Sequence, residues 1–464
     1  MKQSGTTTGH GLHLDLNRDA AGLGRQLESA LRTAIRDERL RAGDRLPSTR
    51  VLADYLGVSR RLVVDAYAQL TAEGWLVARQ GAGTTVATTS AQVAAATAPA
   101  DTPARLRYDF FPGVPDLAGF PRAVWLRAMR SVLAAAPDRA LHYPDPAGAP
   151  PLRAALAAHL GRARGVLADA DRLVVVSGAR QGLTLLARVL AAADTTLIAV
   201  EVPSLPPHVD SLRAGGLDVV GVPVDDEGLV VDALERGGAQ AVLVTPAHQF
   251  PLGVALAPAR RAQLLAWAAA VPSRLIIEDD YDAEFRYDRR PVGALQALDP
   301  GRVAYLGSAS KTLAPGLRLG WVVAPEPLRA RLVRAKELDD GGSPALDQLA
   351  LAKLLDSAAY DRHIRVARRR YRARRDALAA ALGHEIPNAR LEGMAAGLHA
   401  IVRMPRAFVV NELVAAAARR GVGVYPLGVP GGEADALIMG YASLSEPAIT
   451  EGVRLLAEAL AGLT

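Results

Sequence analysis

A lone lysine framed by small hydroxyls stands in the stretch SASKTLAPGLRLG, Ser308 to Gly320. Lys311 follows Ser308 and Ser310 directly after the apolar run VAYLG, so it stands where a strand ends, and ligands of open α/β sheets bind at that end. Pro315 and Gly316 bend the chain toward Arg318. The serines and the guanidinium can then hold a phosphate while the amine reaches a carbonyl, chemistry that requires a confined, neutral lysine. Taken alone, the stretch also reads as a solvated surface loop.

Two further strand ends carry compatible groups. RLIIEDDYDAEFRYD puts Asp279 at the end of a buried run with Tyr281 two residues on. A carboxylate there can hold a pyridine nitrogen protonated, turning the ring into an electron sink, and a phenol can bond a ring hydroxyl. The bland reading is an acidic loop that is solvated or holds a cation. VVVSGARQGLTLLARVL is a buried strand, a turn through Gly178, Ala179 and Arg180, and a helix whose first amides attract a phosphate. Each piece is ambiguous. In this order the three make one constellation, which an aldehyde cofactor bearing a phosphate fits.

The elements that must position these groups follow from apolar patterning. RLVVVSG, TTLIAV, AVLVTP, RLIIED and VAYLGS alternate with amphipathic stretches, as a mixed sheet buried on both faces requires. Past about Glu326 the strand signals fade into one long helix, QLALAKLLDSAAYDRHIRVARRRYRARRDALAAAL, followed by candidate strands GLHAIVRMP and ALIMGYASL. A smaller α+β unit is expected there, over about 327–464. Ahead of the α/β body, residues 88–107 are Ala, Thr and Pro without periodicity and read as a linker. The expected organisation is therefore residues 1–87, a linker and residues 108–464.

Residues 1–87 carry a different chemistry. A helix is expected over Leu23 to Leu40, then TRVLADYL capped by Ser48 and ended at Gly57, then RRLVVDAYAQLTAEG capped by Ser59. A helix, a short turn and a second helix opening on Arg60 and Arg61 form a helix-turn-helix. GWLVARQGAGTTVA adds a hairpin wing with Arg79, Gly81 and Gly83 near its tip. The alternative is a small helical docking domain with a solvated basic face.

The stretch RLPSTRVLADYLGVSRRLVVDAYAQLTAEGWLVARQGAGTTV resembles the winged helix of GntR-family transcription regulators. The resemblance implies that Arg45, Ser48, Arg50, Ser59, Arg60, Arg61, Gly81, Gly83 and Thr84 contact double-stranded DNA. Arg61 departs from the asparagine often found after VSR, which strengthens phosphate attraction or changes base preference. From Tyr108 to Leu463 the chain resembles fold type I aminotransferases, which use pyridoxal 5′-phosphate. That likeness implies that Lys311 bonds the cofactor aldehyde as the internal aldimine, Asp279 pairs with the pyridine nitrogen and Tyr281 with the phenolic oxygen. Gly178, Ala179 and Arg180 (through backbone amides), Ser308, Ser310 and Arg318 would hold the phosphate. HYPDPAGAPPLRAALAAHL, TPAHQFPLGV and SKTLAPGLRLGW behind a GntR head resemble the MocR subfamily. The fold expected is α/β: a winged helix-turn-helix plus an aminotransferase-like domain, as a homodimer on repeated half-sites.

Departures narrow the function. Leu205 stands where relatives place a ring-stacking tyrosine, Leu252 where threonine is usual, and Val429 where an arginine grips a carboxylate. Arg403 or Arg122 could substitute for that arginine. The losses favour a regulator that senses a small-molecule effector, pyridoxal phosphate itself included, over an amino-acid transaminase. The rest is consistent with this reading. Net charge of +6 permits an anionic partner, and RHIRVARRRYRARR reads as an amphipathic helix with a solvated arginine face, touching DNA being the alternative. Zero Cys and nine unpaired His exclude thiolate chemistry and a metal site. Among these His, His248 is expected near the cofactor and His399 packed in the small unit. With neither a membrane span nor a secretion signal, the cytoplasm is the expected compartment.

Overall fold

The computed structural model describes residues 14, 16–17, 22–79, 83–87, 106–287, 292–428 and 432–463. The chain divides into two compact units, Met1–Pro103 and Ala104–Thr464. Residues 88–105 of the expected linker lie outside the described residues.

In the first unit α1 (Leu23–Arg36), α2 (Thr49–Leu56) and α3 (Arg60–Ala72) bury one face each around Leu27, Leu31, Leu52, Val63 and Leu70. Strands β1 (Leu76–Arg79) and β2 (Gly83–Val86) pair antiparallel, from Leu76↔Val86 to Arg79↔Gly83. Helix α1 stops at Arg36, short of the expected Leu40. Asp37 and Glu38 would place negative charge at the negative end of the helix dipole, and Glu38 instead turns left-handed at φ 56°. Ser48 and Ser59 accept amide bonds at 3.3 Å from Val51 and Leu62, starting α2 and α3. Arg32 reaches Glu73 with two bonds of 2.6 and 2.8 Å, tying α1 to the end of α3.

The second unit opens with β3 (Tyr108–Asp109), α4 (Arg122–Ala135) and α5 (Pro150–Arg164). Its main sheet comprises β4 (Leu173–Val176), β5 (Leu197–Val202), β6 (Asp218–Asp225), β7 (Gly228–Leu229), β8 (Ala241–Val244), β9 (Leu275–Asp280), β10 (Val303–Ser308) and β11 (Gly320–Val323). The strand order is β4-β11-β10-β9-β8-β5-β6-β7. Strands β10, β9, β8, β5 and β6 run parallel, while β11 lies antiparallel between β4 and β10. Every residue of β4, β8, β9 and β10 is buried, as the continuous apolar runs require. Helices α6 (Ala179–Ala191), α7 (Pro206–Ala214), α8 (Val231–Arg236) and α9 (Pro258–Ala269) cross between strands, and α10 (Glu326–Asp340) packs on α6.

The one long helix expected past Pro344 is two: α11 (Ala345–Asp356) and α12 (Ala359–Glu385). The break falls at Ala358, left-handed at φ 53°, after the Ser357 hydroxyl has bonded the Lys353 carbonyl at 2.7 Å. Helix α11 packs on α4 and α5, whereas α12 packs on the last helix, so the chain must turn between two partners. Arg370 and Arg374 of α12 turn inward to Asp116, while Arg362, Arg365, Arg369 and Arg372 face outward. The small sheet has β12 (Arg390–Glu392), β13 (His399–Val409), β15 (Tyr425–Pro426) and β16 (Glu433–Gly440), with α13 (Val410–Arg419) against it and α14 (Glu446–Ala461) against α12 and α13. Strand β14 (Val422–Gly423) leaves that sheet to pair with β3.

Candidate cofactor and DNA sites

The carboxyl ends of β4, β5, β8, β9 and β10 open on one cavity of about 320 Å³. Ala179, Arg180, Asp279, Tyr281, Ser308, Ser310, Lys311 and Arg318 all line it. Strand periodicity explains how β9 contributes. Glu278 and Asp280 point to one face, where Glu278 accepts the Leu295 and Gln296 amides at 2.9 and 2.8 Å and Asp280 takes Arg164 at 2.6 Å and the Tyr305 hydroxyl at 2.8 Å. Asp279 points to the other, and its Oδ2 is buried without a hydrogen-bond partner. Burial, with the neighbouring Asp280 carboxylate, pushes Asp279 up to about 7. An N–H donor entering the cavity would satisfy that oxygen and restore its charge.

Lys311 is held by one bond, Nζ donating to the Gly113 carbonyl at 2.7 Å, and burial pulls it below the usual lysine range. This favours the neutral amine a nucleophile needs. Opposite it, α6 begins at Gly178, at φ 83°, where a side chain would collide with the Arg318 guanidinium 2.9 Å away. Arg318 is itself left-handed at φ 52°, a conformation costing roughly 1–3 kcal/mol, and donates to the Ser177 carbonyl. The amides of Ala179 and Arg180 open the helix without intrahelical acceptors, but the Gly178 amide is committed to Val176 O at 2.8 Å. Gln181 Oε1 accepts the Ser177 amide at 2.7 Å and fixes this turn.

Several contributors escaped the sequence reading. Glu201 ends β5 in the cavity, its Oε2 taking the Thr245 hydroxyl at 2.5 Å and amide at 3.1 Å, and burial pushes it up to about 7. A charged residue next to the end of the apolar run LIAVEV was the available signal. His208, three residues after Leu205, places Nδ1 at 3.4 Å from Asp279 Oδ2 and is held near pH 4 by burial and by Lys311 and Arg180. Leu205, Phe111, Phe250 and Val209 supply apolar walls. His248 lies 3.1 Å from the Tyr281 hydroxyl; His399 sits on β13 but packs its ring against His248 and Phe250. Neither candidate replacement for the lost arginine lines the cavity. Arg403 is engaged by Glu392 and Asp435 at 3.0 and 2.6 Å, and Arg122 by the carbonyls of Ala118 and Leu117. Leu252 does not line it either, and Val429 lies outside the described residues.

In the first unit, Arg60 Nε lies 3.5 Å from Thr49 Oγ1, so the starts of α2 and α3 adjoin and Ser48, Arg50, Ser59, Arg60 and Arg61 share one exposed end. The Ser48 and Ser59 oxygens already serve as helix caps. Arg45 bridges to Thr85 and lies against Gly83, where a side chain would stand 3.0 Å from its guanidinium, and Leu46 bonds Thr84 O at 2.9 Å. These contacts join Arg45, Gly83 and Thr84 on the wing. Gly81 lies outside the described residues.

Residues 23–86 match the family of bacterial regulatory proteins called gntR, and residues 113–454 match the family of class I and II aminotransferases. The chain is 37% identical over 409 residues to the "HTH-type pyridoxine biosynthesis transcriptional regulator PdxR" of Corynebacterium glutamicum, 87% of each protein. It is 32% identical over 483 residues to the "Probable rhizopine catabolism regulatory protein MocR" of Rhizobium meliloti, 97% of this chain and 96% of that one. The chain belongs to the MocR subfamily of GntR-family regulators. Among solved structures, the α-aminoadipate aminotransferase LysN of Thermus thermophilus, complexed with N-(5′-phosphopyridoxyl)-L-leucine, superposes with a TM-score of 0.69 at 28% identity, covering 77% of this chain and 92% of that one. As a MocR-type protein it is a DNA-binding transcription regulator with an aminotransferase-like domain. No helix among its described residues is long and apolar enough to cross a membrane.

Proposed function

We propose that this regulator holds pyridoxal 5′-phosphate in the cavity at Lys311 and uses its occupancy to change how the winged helix binds an operator. The observation that carries the reading is the buried Asp279 Oδ2, which makes no hydrogen bond, in the same cavity as a single confined lysine. When bound, the cofactor would supply an aldehyde carbon to the Lys311 amine. Asp279 would accept the ring N–H, Tyr281 would donate to the ring oxygen, and the Ala179 and Arg180 amides with Ser308, Ser310 and Arg318 would hold the phosphate, Gly178 serving to let Arg318 approach. The apolar walls exclude water from the ring face.

Pyridoxal phosphate is itself the favoured signal. The described cavity lining has no arginine beyond Arg180 and Arg318 to grip an effector carboxylate, and the likeness to PdxR, whose name assigns it to pyridoxine biosynthesis, supports the same reading. The same lack weakens the alternative, a working transaminase with a fused head. A homodimer on repeated half-sites fits the exposed apolar residues Leu126 and Leu133 of α4, with Leu141 and Tyr143 beyond. The operator is to be sought upstream of the protein's own gene, by fluorescence anisotropy in the cytoplasmic salt range. Lys311→Ala should abolish the effect of pyridoxal phosphate on DNA binding and leave cofactor-free binding intact; an unchanged response would sink the proposal.

A further inference from the structure

Tyr281 belongs to a buried polar group whose other members do not themselves line the cavity. His248 Nδ1 lies 2.9 and 3.1 Å from the two oxygens of Asp282 and 3.1 Å from the Tyr281 hydroxyl. His248 and Asp282 are 3% and 2% exposed. A carboxylate accepts, so Nδ1 carries the hydrogen and donates to Asp282. The same N–H faces the phenolic oxygen of Tyr281, whose own hydrogen is drawn toward Asp282 in the empty cavity and would turn to a ring oxygen that enters it. The phenol keeps that hydrogen, because burial and then the Asp282, Asp279 and Glu201 charges raise it well above its ordinary range. The rings of His248 and Tyr281 lie 29° from parallel with centroids 6.1 Å apart, which limits the phenol's swing.

The loop that leads into β13 closes this group from the other side. Gly397, at φ 72°, leaves no room for a side chain: a Cβ would fall 2.3 Å from His248 and 2.5 Å from Asp282. The Gly397 carbonyl is in turn fixed by the hydroxyls of Tyr287 and Tyr441. His399 adds its ring 5.5 Å from that of His248.

We infer that His248 and Asp282 are positioning residues that aim the Tyr281 hydroxyl at the phenolic oxygen of the cofactor ring. This rests on the reading that the cavity holds pyridoxal phosphate with Tyr281 beside that oxygen. Donation from Tyr281 draws electron density from the ring oxygen, so the adjoining Lys311 nitrogen of the loaded protein holds its proton less tightly. Losing the aim should raise the pH at which that proton leaves.

The test is a spectrophotometric pH titration of the visible band of the full-length protein loaded with pyridoxal phosphate. Tyr281→Phe sets the full effect. His248→Phe, which keeps the ring but removes the N–H, should raise the midpoint by about half to one pH unit, the size of one hydrogen bond. The double variant should shift no further than Tyr281→Phe alone, and His248→Asn, which restores an N–H near the Nδ1 position, should return the midpoint toward the wild-type value. Should His248→Phe fail to fold, His248→Gln, which carries its donor past that position, takes its place. An unmoved midpoint, additive shifts in the double variant, or an Asn variant that behaves like Phe would each overturn the inference. A wild-type protein that takes up no cofactor would instead overturn the reading beneath it.

Discussion

At the scale of single residues, the cavity is organised by groups left incomplete. Asp279 Oδ2 is buried without a hydrogen bond, His208 Nδ1 standing 3.4 Å off, and half-buried Lys311 makes one. Such groups destabilise the empty protein and favour a ligand that completes them. Asp279→Ala should therefore weaken retention of pyridoxal phosphate by about 10- to 100-fold, the value of a charged hydrogen bond, as read by equilibrium dialysis. Retention equal to wild type would separate Asp279 from the cofactor. These residues were legible because each closes an apolar run, and strand ends in an α/β sheet converge. The positions of His208 and Asp282 were not, since their partners lie on other elements and no local spacing records them, whereas His248 was expected near the cofactor and lies 3.1 Å from the Tyr281 hydroxyl.

At the scale of elements, most of the order was legible and the breaks were not. The helices of the winged unit announce themselves through Ser48, Gly57 and Ser59, and the buried strands through unbroken apolar runs. The turn at Ser357 and Ala358 contains neither Gly nor Pro and joins two ordinary helix formers, so only tertiary packing dictates it. Ala358→Gly should consequently stabilise the protein by roughly 1 kcal/mol, by removing the cost of a left-handed Cβ, visible as a higher denaturation midpoint. Destabilisation would mean that the φ of 53° is not strained. At the start of α3, Arg61 is almost fully exposed, and its contact with Asp65 is a loose one at 3.9 Å. Arg61→Ala should weaken operator and non-operator binding alike and reduce the salt slope by about one counterion, as for a phosphate contact. Loss confined to one operator base would make it a base-reading residue.

At the scale of the whole molecule, three buried carboxyls are pushed up to about 7: Glu201, Glu278 and Asp279, each chiefly by burial. Their protons are held in the folded chain and released in the unfolded one between about pH 4 and pH 7. Folding stability is thus fully present at the acid side of that window and declines as pH rises through it. Buried His208 and His399, held near pH 4 and pH 3, act with the opposite sign below about pH 6.5, so the cofactor-free protein should melt lower at about pH 8 than at about pH 6.5 by calorimetry, and Glu201→Gln should flatten the slope. A melting temperature that rises over that range would contradict this account of the buried carboxyls.

The sheet order has a consequence for synthesis. Strand β11 lies between β4 and β10, so the Gly178 turn and Ser308 flank a strand made well after Gly178. Such long-range pairing forms late. A nascent chain halted before Gly320 carries the lysine and both serines yet lacks the strand that sets them beside the Gly178 turn, so on the proposed reading cofactor capture should mark a finished sheet.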